Sequence, residues 1–307
     1  MATSSKAPLV IEAGISPLRI GAPSQTTAEM IAEGIACVEA GATIIHHHHD
    51  FSADADTATR QLIDVALGIL DKYPDTLVYP NYLKGRKLAE QFAYLGPMVE
   101  QGALSMIAFD PGFTTFGRFD DQGLPSISIR AGFSYPDCDW IVRFAQEHKA
   151  PLSIGLYEPG QLRWTLAYAR AGMFPPGSIL KIYFGGDHLI DQDRVPGLSF
   201  GPVPFEDGLD LYLKMLGDVA LPWIVSLQGD AILDSPIARV ALARGGHLRV
   251  GIEDTAGTTN LTNAGTVEAA VKLGREMGRE VITGALAIAH LKQQMAPQKV
   301  IGQKEIA

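Results

Sequence analysis

The sequence predicts an α/β fold: a closed (β/α)8 barrel, the TIM-barrel architecture, with one added C-terminal helix. Three observations carry this prediction. Short β-branched runs alternate with helix-length amphipathic segments eight times along the chain. No G-x-G-x-x-G follows the first run, as a doubly wound dinucleotide-binding sheet would show. A chain of 307 residues with 47% hydrophobic content is long and apolar enough to fill such a barrel. Residues 1–307 therefore read as a single barrel domain, without an internal linker, repeat or low-complexity tract.

The predicted elements run strand then helix throughout. The first strand, Pro8–Ala13, leads to a helix over Thr26–Ala40, which opens on the capping box Thr26-Thr27-Ala28-Glu29. Strand two, Ala42–His49, precedes a helix over Asp56–Lys72, and strand three, Thr76–Asn81, precedes one over Arg86–Gln101. Strand four, Leu104–Asp110, is followed by a long connection, Pro111–Ser134, and a helix over Asp137–His148. Strand five, Pro151–Leu156, pairs with a helix over Gly160–Ala171. Strand six, Ile179–Phe184, is followed by a second long connection, Gly185–Pro204, and a helix over Phe205–Leu216. Strand seven, Trp223–Leu227, leads through Asp234-Ser235-Pro236, a cap and a first-turn proline, to a helix over Ser235–Ala243. Strand eight, His247–Glu253, is followed by a helix over Thr266–Met277, and Val281–Met295 forms the added terminal helix. In such barrels functional groups gather at the carboxyl ends of the strands, so both long connections lie on the predicted active face.

Composition narrows the partners. The 34 acidic and 25 basic residues give a formal charge of −9, which disfavours nucleic acid and anionic membrane surfaces. No apolar run is long enough to span a bilayer, and the N-terminus MATSSKAPLV lacks a signal-peptide pattern, so a cytoplasmic protein acting on a small molecule is expected. Cys37 and Cys138 are too few for a disulfide framework or a cysteine zinc motif.

The densest chemical signal is ATIIHHHHD, residues 42–50. Four histidines inside the chain, directly after an apolar run, belong to the fold and not to a tag. Strand alternation puts His46 and His48 on one face and His47 and His49 on the other. Several imidazoles at one strand end need partners, and a divalent metal held by one pair supplies them; alternation leaves open which pair. A carboxylate candidate stands in strand eight, where GGHLRVGIEDTAG places Arg249, Gly251 and Glu253 on one face, with Asp254 at the rim. Glu12 interrupts the apolar first strand and predicts an inward ion pair, either with Arg249 or beside a metal-binding histidine. Tyr157-Glu158 and Gly185-Gly186-Asp187-His188 are further polar strand ends on the same face.

Two motifs resemble the β-keto acid cleavage enzymes: E-A-G-A-x-x-I-H-x-H at Glu39–His48 and G-G-H-x-R-x-G-x-E-D at Gly245–Asp254. The resemblance spans nearly the whole chain. It implies that His46, His48 and Glu253 hold a divalent ion, usually zinc, and that Arg249 and Asp254 act together to generate a carbon nucleophile. His47 and His49 remain as outward-facing or supporting residues. The implied reaction converts a β-keto acid and acetyl-CoA into acetoacetate and the CoA ester of the remaining fragment. Asp254 would take a proton from the thioester methyl while the ion draws electron density from the keto acid. The connection after strand six is the candidate CoA contact, and a homo-oligomer is implied.

The chain also departs from the family pattern. Arg19 stands where the typified enzyme has a glutamate for its substrate's amino group, which suggests an anionic or polar group on the substrate here. Asn81 replaces a serine, Phe113 a threonine with Thr114 and Thr115 beside it, and Gly155 a glutamate. Arg19, Asn81, Thr114 and Thr115 are the candidate substrate-binding residues. Two other functions fit the same residues: a metal-dependent aldolase or hydrolase without CoA, and a noncatalytic protein that uses the metal to hold an acidic small molecule.

Overall fold

The computed structural model describes residues 7–190, 193–198 and 200–295. In chain order the elements are β1 (Ile11–Ile15), α1 (Thr27–Ala40), β2 (Ile44–His47), α2 (Ala55–Leu70), β3 (Leu77–Pro80), α3 (Leu88–Gln91), α4 (Leu95–Glu100), β4 (Ile107–Phe109), β5 (Gly112–Phe119) and β6 (Pro125–Phe133). They continue with α5 (Tyr135–Glu147), β7 (Leu152–Leu156), α6 (Pro159–Arg170), β8 (Ile179–Gly185), β9 (Gly197–Leu198), α7 (Glu206–Leu216), β10 (Trp223–Gln228), α8 (Pro236–Ala243), β11 (His247–Val250), α9 (Asn263–Glu276) and α10 (Gly284–Gln294).

Eight strands form one parallel sheet in the order β3-β2-β1-β11-β10-β8-β7-β4, which brings the first and last strands of the αβ series side by side. The remaining seam lies between β3 and β4. There the Ser105 hydroxyl accepts from Val78 N at 2.7 Å and donates to Val78 O at 2.7 Å, standing in for a ladder bond. This is the (β/α)8 barrel that the sequence predicts.

Inward side chains recur every second residue, so Ile44, Leu77, Met106, Ala108, Ile179 and Ile224 fill the lower barrel. Ala287 and Leu291 of α10 join this cluster from below, so the added helix caps the amino-terminal end of the barrel. It begins at Gly284 and not at Val281, because Val281 is held in an extended bridge beside Leu9. The larger core lies between the strands and the helical ring, where Ile15, Leu62, Ile69, Ile107 and Leu152 meet buried faces of the helices.

Several expectations need correction. The segment Arg86–Gln101 is not one helix but two short ones, α3 and α4, separated by the buried aromatics Phe92 and Tyr94; Pro97 lies in the first turn of α4, where its missing N–H is tolerated but would break a helix continuous from α3. The connection Pro111–Ser134 is not a loop: β5 and β6 form an antiparallel hairpin. The second connection contributes β9, which pairs with β5 through Gly117↔Leu198 and Arg118↔Gly197. The two long excursions thus join as a separate three-stranded sheet. Strand eight stops at Val250, and Ile252–Thr255 is a single 3-10 turn. Among the described residues no helix is long and apolar enough to cross a membrane.

Candidate active site

The histidine run straddles the end of β2. His46 and His47 belong to the strand and His48 and His49 follow it. His46 is in register with Gly14 of β1 and Tyr79 of β3, which directs it toward the barrel mouth. His46 Nε2 and His48 Nε2 face each other at 3.0 Å, and Glu253 Oε1 lies 2.8 Å from His48 Nε2 and 3.6 Å from His46 Nε2. One ligand atom from each of these three residues lies within 4.8 Å of the other two. Among the described residues this is the only such group of three.

Glu253 arrives by a different route from the predicted alternation. Gly251 takes φ +134°, and a Cβ there would stand 2.1 Å from Gly14 O, so only glycine permits the close crossing that ends the strand. The 3-10 turn that follows carries Glu253 back over Arg249, whose Nη2 donates to Glu253 Oε1 at 3.0 Å. Gly14 makes space for this guanidinium: a Cβ at position 14 would lie 2.6 Å from Arg249 Nη2.

The donor set fits a divalent cation. Burial first, and then the neighbouring Arg249 charge, hold His46 well below the usual histidine range, so its ring is a neutral donor. Burial opposes the charge on Glu253, but His48 and Arg249 outweigh it and hold the carboxyl down at about 2. Glu253 Oε2 is buried without a hydrogen-bond partner. Electron-pair donors pointing at one place, with an ionised carboxylate among them, are what a catalytic zinc site requires. Asn81 Nδ2 meets His48 Nδ1 at 3.1 Å and fixes that ring from behind.

Arg249 and Asp254 are brought together as predicted. Arg249 is fully buried and donates through Nε to Asp254 Oδ2 at 2.7 Å, through Nη2 to Oδ1 at 3.3 Å, and through Nη1 to Glu12 Oε1 at 2.7 Å. Of the two partners open to Glu12, the structure selects Arg249. Ser226 Oγ and Gln228 Nε2 add hydrogen bonds to Asp254 at 2.9 and 3.4 Å.

The remaining candidates scatter. Arg19 donates to Glu33 and to the carbonyls of Ser16 and Leu18, so its charge is already paired. It lines a cavity of about 230 Å³ that also reaches Glu253, Thr255 and Asn260. Thr114 and Thr115 lie on β5: Thr114 donates to Glu158 at 3.1 Å, and Thr115 is exposed. Phe113, beside them, lies under the Arg130 guanidinium. His47 and His49 stand apart from the three-residue cluster. His47 is fully buried and burial pushes it down to about 3; His49 packs on Phe51 and burial pushes it down to about 4. Glu158 accepts from Gly201 N, and His188 pairs with Asp230 at 2.9 Å.

Five polar residues of the mouth and upper barrel were missed in the sequence. Ser226 and Gln228 hold Asp254, Lys181 and Tyr79 meet Glu12, and Asp110 occupies the space above Gly155. A Cβ on Gly155 would lie 2.1 Å from Asp110 Oδ1, so the room left by the glycine is taken by a carboxyl from the neighbouring strand end. Tyr82 donates to the other oxygen at 2.9 Å. Burial pushes Asp110 up to about 6. Each is a polar residue at an inward position of an apolar run or just beyond it, and that parity is the signal that could have found them.

No curated protein matches the sequence. A solved ternary complex of ObcA with a C4-CoA adduct and oxalate superposes with a TM-score of 0.62 at 12% identity, covering 87% of this chain and 66% of that one. A binary complex of ObcA with oxaloacetate gives 0.60 at 12% identity, with the same 87% and 66% coverage. The chain thus spans just under two thirds of ObcA, and at this identity the likeness shows the barrel fold. Residues 23–292 match the family described as beta-keto acid cleavage enzyme, a span that contains every member of the His46, His48, Glu253, Arg249 and Asp254 constellation. The chain belongs to the beta-keto acid cleavage enzyme family.

Proposed function

We propose that this protein is a zinc-dependent acyl-exchange enzyme, which converts a β-keto acid and acetyl-CoA into acetoacetate and an acyl-CoA. The observation that supports it most is the junction of two devices on one guanidinium. Arg249 touches both Glu253 of the three-donor cluster and the carboxylate of Asp254. The solved complexes of ObcA with oxaloacetate and with a CoA adduct lend support to an acidic small molecule and CoA as partners.

His46, His48 and Glu253 would hold the ion. When bound, it supplies a Lewis acid for an oxygen of the keto acid. Asp254 is the general base, oriented by Arg249, Ser226 and Gln228.

The product balance corrects which proton Asp254 removes. Acetoacetate contains the C1–C2 fragment of the β-keto acid joined to the acetyl group, so the new bond forms between C2 and the acetyl carbonyl carbon. The C2–C3 bond breaks, the sulfur passes from the acetyl to the departing acyl group, and the proton taken from C2 returns to C2 of the product. Removing a methyl proton from the thioester would instead join the acyl group to the acetyl unit and release acetate. The base therefore acts on C2.

We further propose that residues 1–307 form one domain that works in the cytoplasm as a homo-oligomer. Elemental analysis together with acetoacetate assays on a panel of β-keto acids, with and without acetyl-CoA, tests the acyl-exchange reading. About one zinc per chain and CoA-dependent acetoacetate are expected. Zinc with CoA-independent cleavage would replace this reading with an aldolase or hydrolase, and ligand binding without turnover would make the protein a binder.

A further inference from the structure

Two buried charges in the barrel interior take no part in the chemistry above. Glu12 of β1 and Lys181 of β8 expose 0% and 4% of their side chains, and Lys181 Nζ lies 3.0 Å from Glu12 Oε1. Lys181 also donates to the Tyr79 hydroxyl, which in turn donates to Glu12 Oε1 at 2.5 Å. Arg249 Nη1 reaches the same oxygen at 2.7 Å. Three donors thus converge on Glu12 Oε1, while Oε2 is buried without a partner. Ser153 completes the group by donating to the Tyr79 hydroxyl at 3.2 Å.

A pair of this kind does little for stability. Taking two ions out of water costs about as much as their attraction returns, and apolar residues of the same volume fill a core as well or better. The arrangement of Arg249 shows another use. Its Nη1 is anchored by Glu12, which leaves Nε and Nη2 aimed at Asp254 and Glu253. Glu12, Glu253 and Asp254 all compete for this one guanidinium. A second cation on Glu12 relieves that competition, because a carboxylate already shared with Lys181 attracts Arg249 less strongly.

We propose that Lys181 is a positioning residue: by sharing Glu12 Oε1 with Arg249, it anchors the guanidinium without drawing it away from Glu253 and Asp254. The kinetic consequences rest on the acyl-exchange reading. The consequence for metal affinity does not, since it follows from the contact between Arg249 and Glu253.

The test is a mutant cycle on the full-length protein with Lys181→Met, Glu12→Gln and the double variant, read by zinc affinity and by steady-state kinetics. Lys181→Met should weaken zinc binding about tenfold, the range seen when a group supporting a ligand is lost. It should lower kcat by about tenfold or more with KM within about twofold, and Lys181→Arg should recover most of both losses. In the Glu12→Gln background, Lys181→Met should add nothing, because Lys181 acts through Glu12. A folded Lys181→Met with unchanged zinc affinity, or an undiminished effect in the Glu12→Gln background, overturns the proposal. Should Lys181→Met not fold, Lys181→Gln takes its place with the same expected losses. Wild-type protein that binds zinc but shows no CoA-dependent cleavage would remove the acyl-exchange reading and leave the zinc cycle to decide the role of Lys181. Wild-type protein that binds no zinc would overturn both.

Discussion

Arg249 holds Asp254 through two nitrogens, with Nε 2.7 Å from Oδ2 and Nη2 3.3 Å from Oδ1. Because Ser226 and Gln228 add a donor to each oxygen, the carboxylate is fixed in one plane before any substrate arrives. Asp254→Asn keeps that shape and removes the proposed base. It should lower kcat by about 10²–10⁴-fold, the range of a lost general base, while zinc content is retained. Steady-state assays with metal analysis on the same sample check this; equal loss of zinc and activity would reassign Asp254 to metal retention.

The three-donor cluster predicts a different phenotype for its own members. His46→Ala, His48→Ala and Glu253→Ala each remove one of the three proposed ligands, and each should abolish stoichiometric zinc and activity together. A chelator should inactivate the wild type and added zinc should restore it. Dialysis followed by elemental analysis separates these variants from Asp254→Asn.

Asn81 stands behind His48 and fixes its ring through Nδ1 at 3.1 Å. Asn81→Ala should therefore weaken zinc binding by about tenfold, as losses behind a ligand do. Competition titration with a chromogenic chelator measures it. Unchanged affinity with a raised KM would return Asn81 to the substrate-binding role expected from the sequence.

Asp110 predicts a pH-dependent stability. Burial raises its pKa from the ordinary carboxyl value to about 6, so the folded protein holds this proton more tightly than the unfolded chain does. Its contribution is fully present below the unfolded value and is lost as pH rises through about 6, on the order of 2–3 kcal/mol in total. Asp110→Asn removes that loss and should raise Tm relative to wild type at pH 8 by clearly more than at pH 4. Calorimetry at the two values decides, and equal differences would mean that Asp110 is not the titrating group.

Much of this arrangement was legible in the sequence, for physical reasons that can be named. The eight barrel strands are apolar on both faces, so their runs stand out from the amphipathic helices. His46 and His48 could be grouped because alternation put them on one face, and the motif resemblance chose that pair. Glu253 was expected at the end of a strand and lies instead on a 3-10 turn; one-dimensional alternation cannot register the φ of Gly251. The hairpin was missed because FTTFGRF spaces its phenylalanines by three and shows no strand alternation, so the alternating start of SISIRAGF stood alone within a long connection. Lys181 and Tyr79 were hidden inside apolar strands, and only the barrel's closure brings them to Glu12.

In the proposed exchange, C2 of the keto acid becomes bonded to the acetyl carbonyl carbon of acetyl-CoA. Turnover of a β-keto acid with acetyl-CoA labelled with ¹³C at the carbonyl, followed by NMR of the products, tests it most directly. The label should appear at C3 of acetoacetate beside an unlabelled acyl-CoA, with both absent in Asp254→Asn. Label in a chain-extended acyl-CoA with release of acetate, or unlabelled products formed without acetyl-CoA, would contradict it.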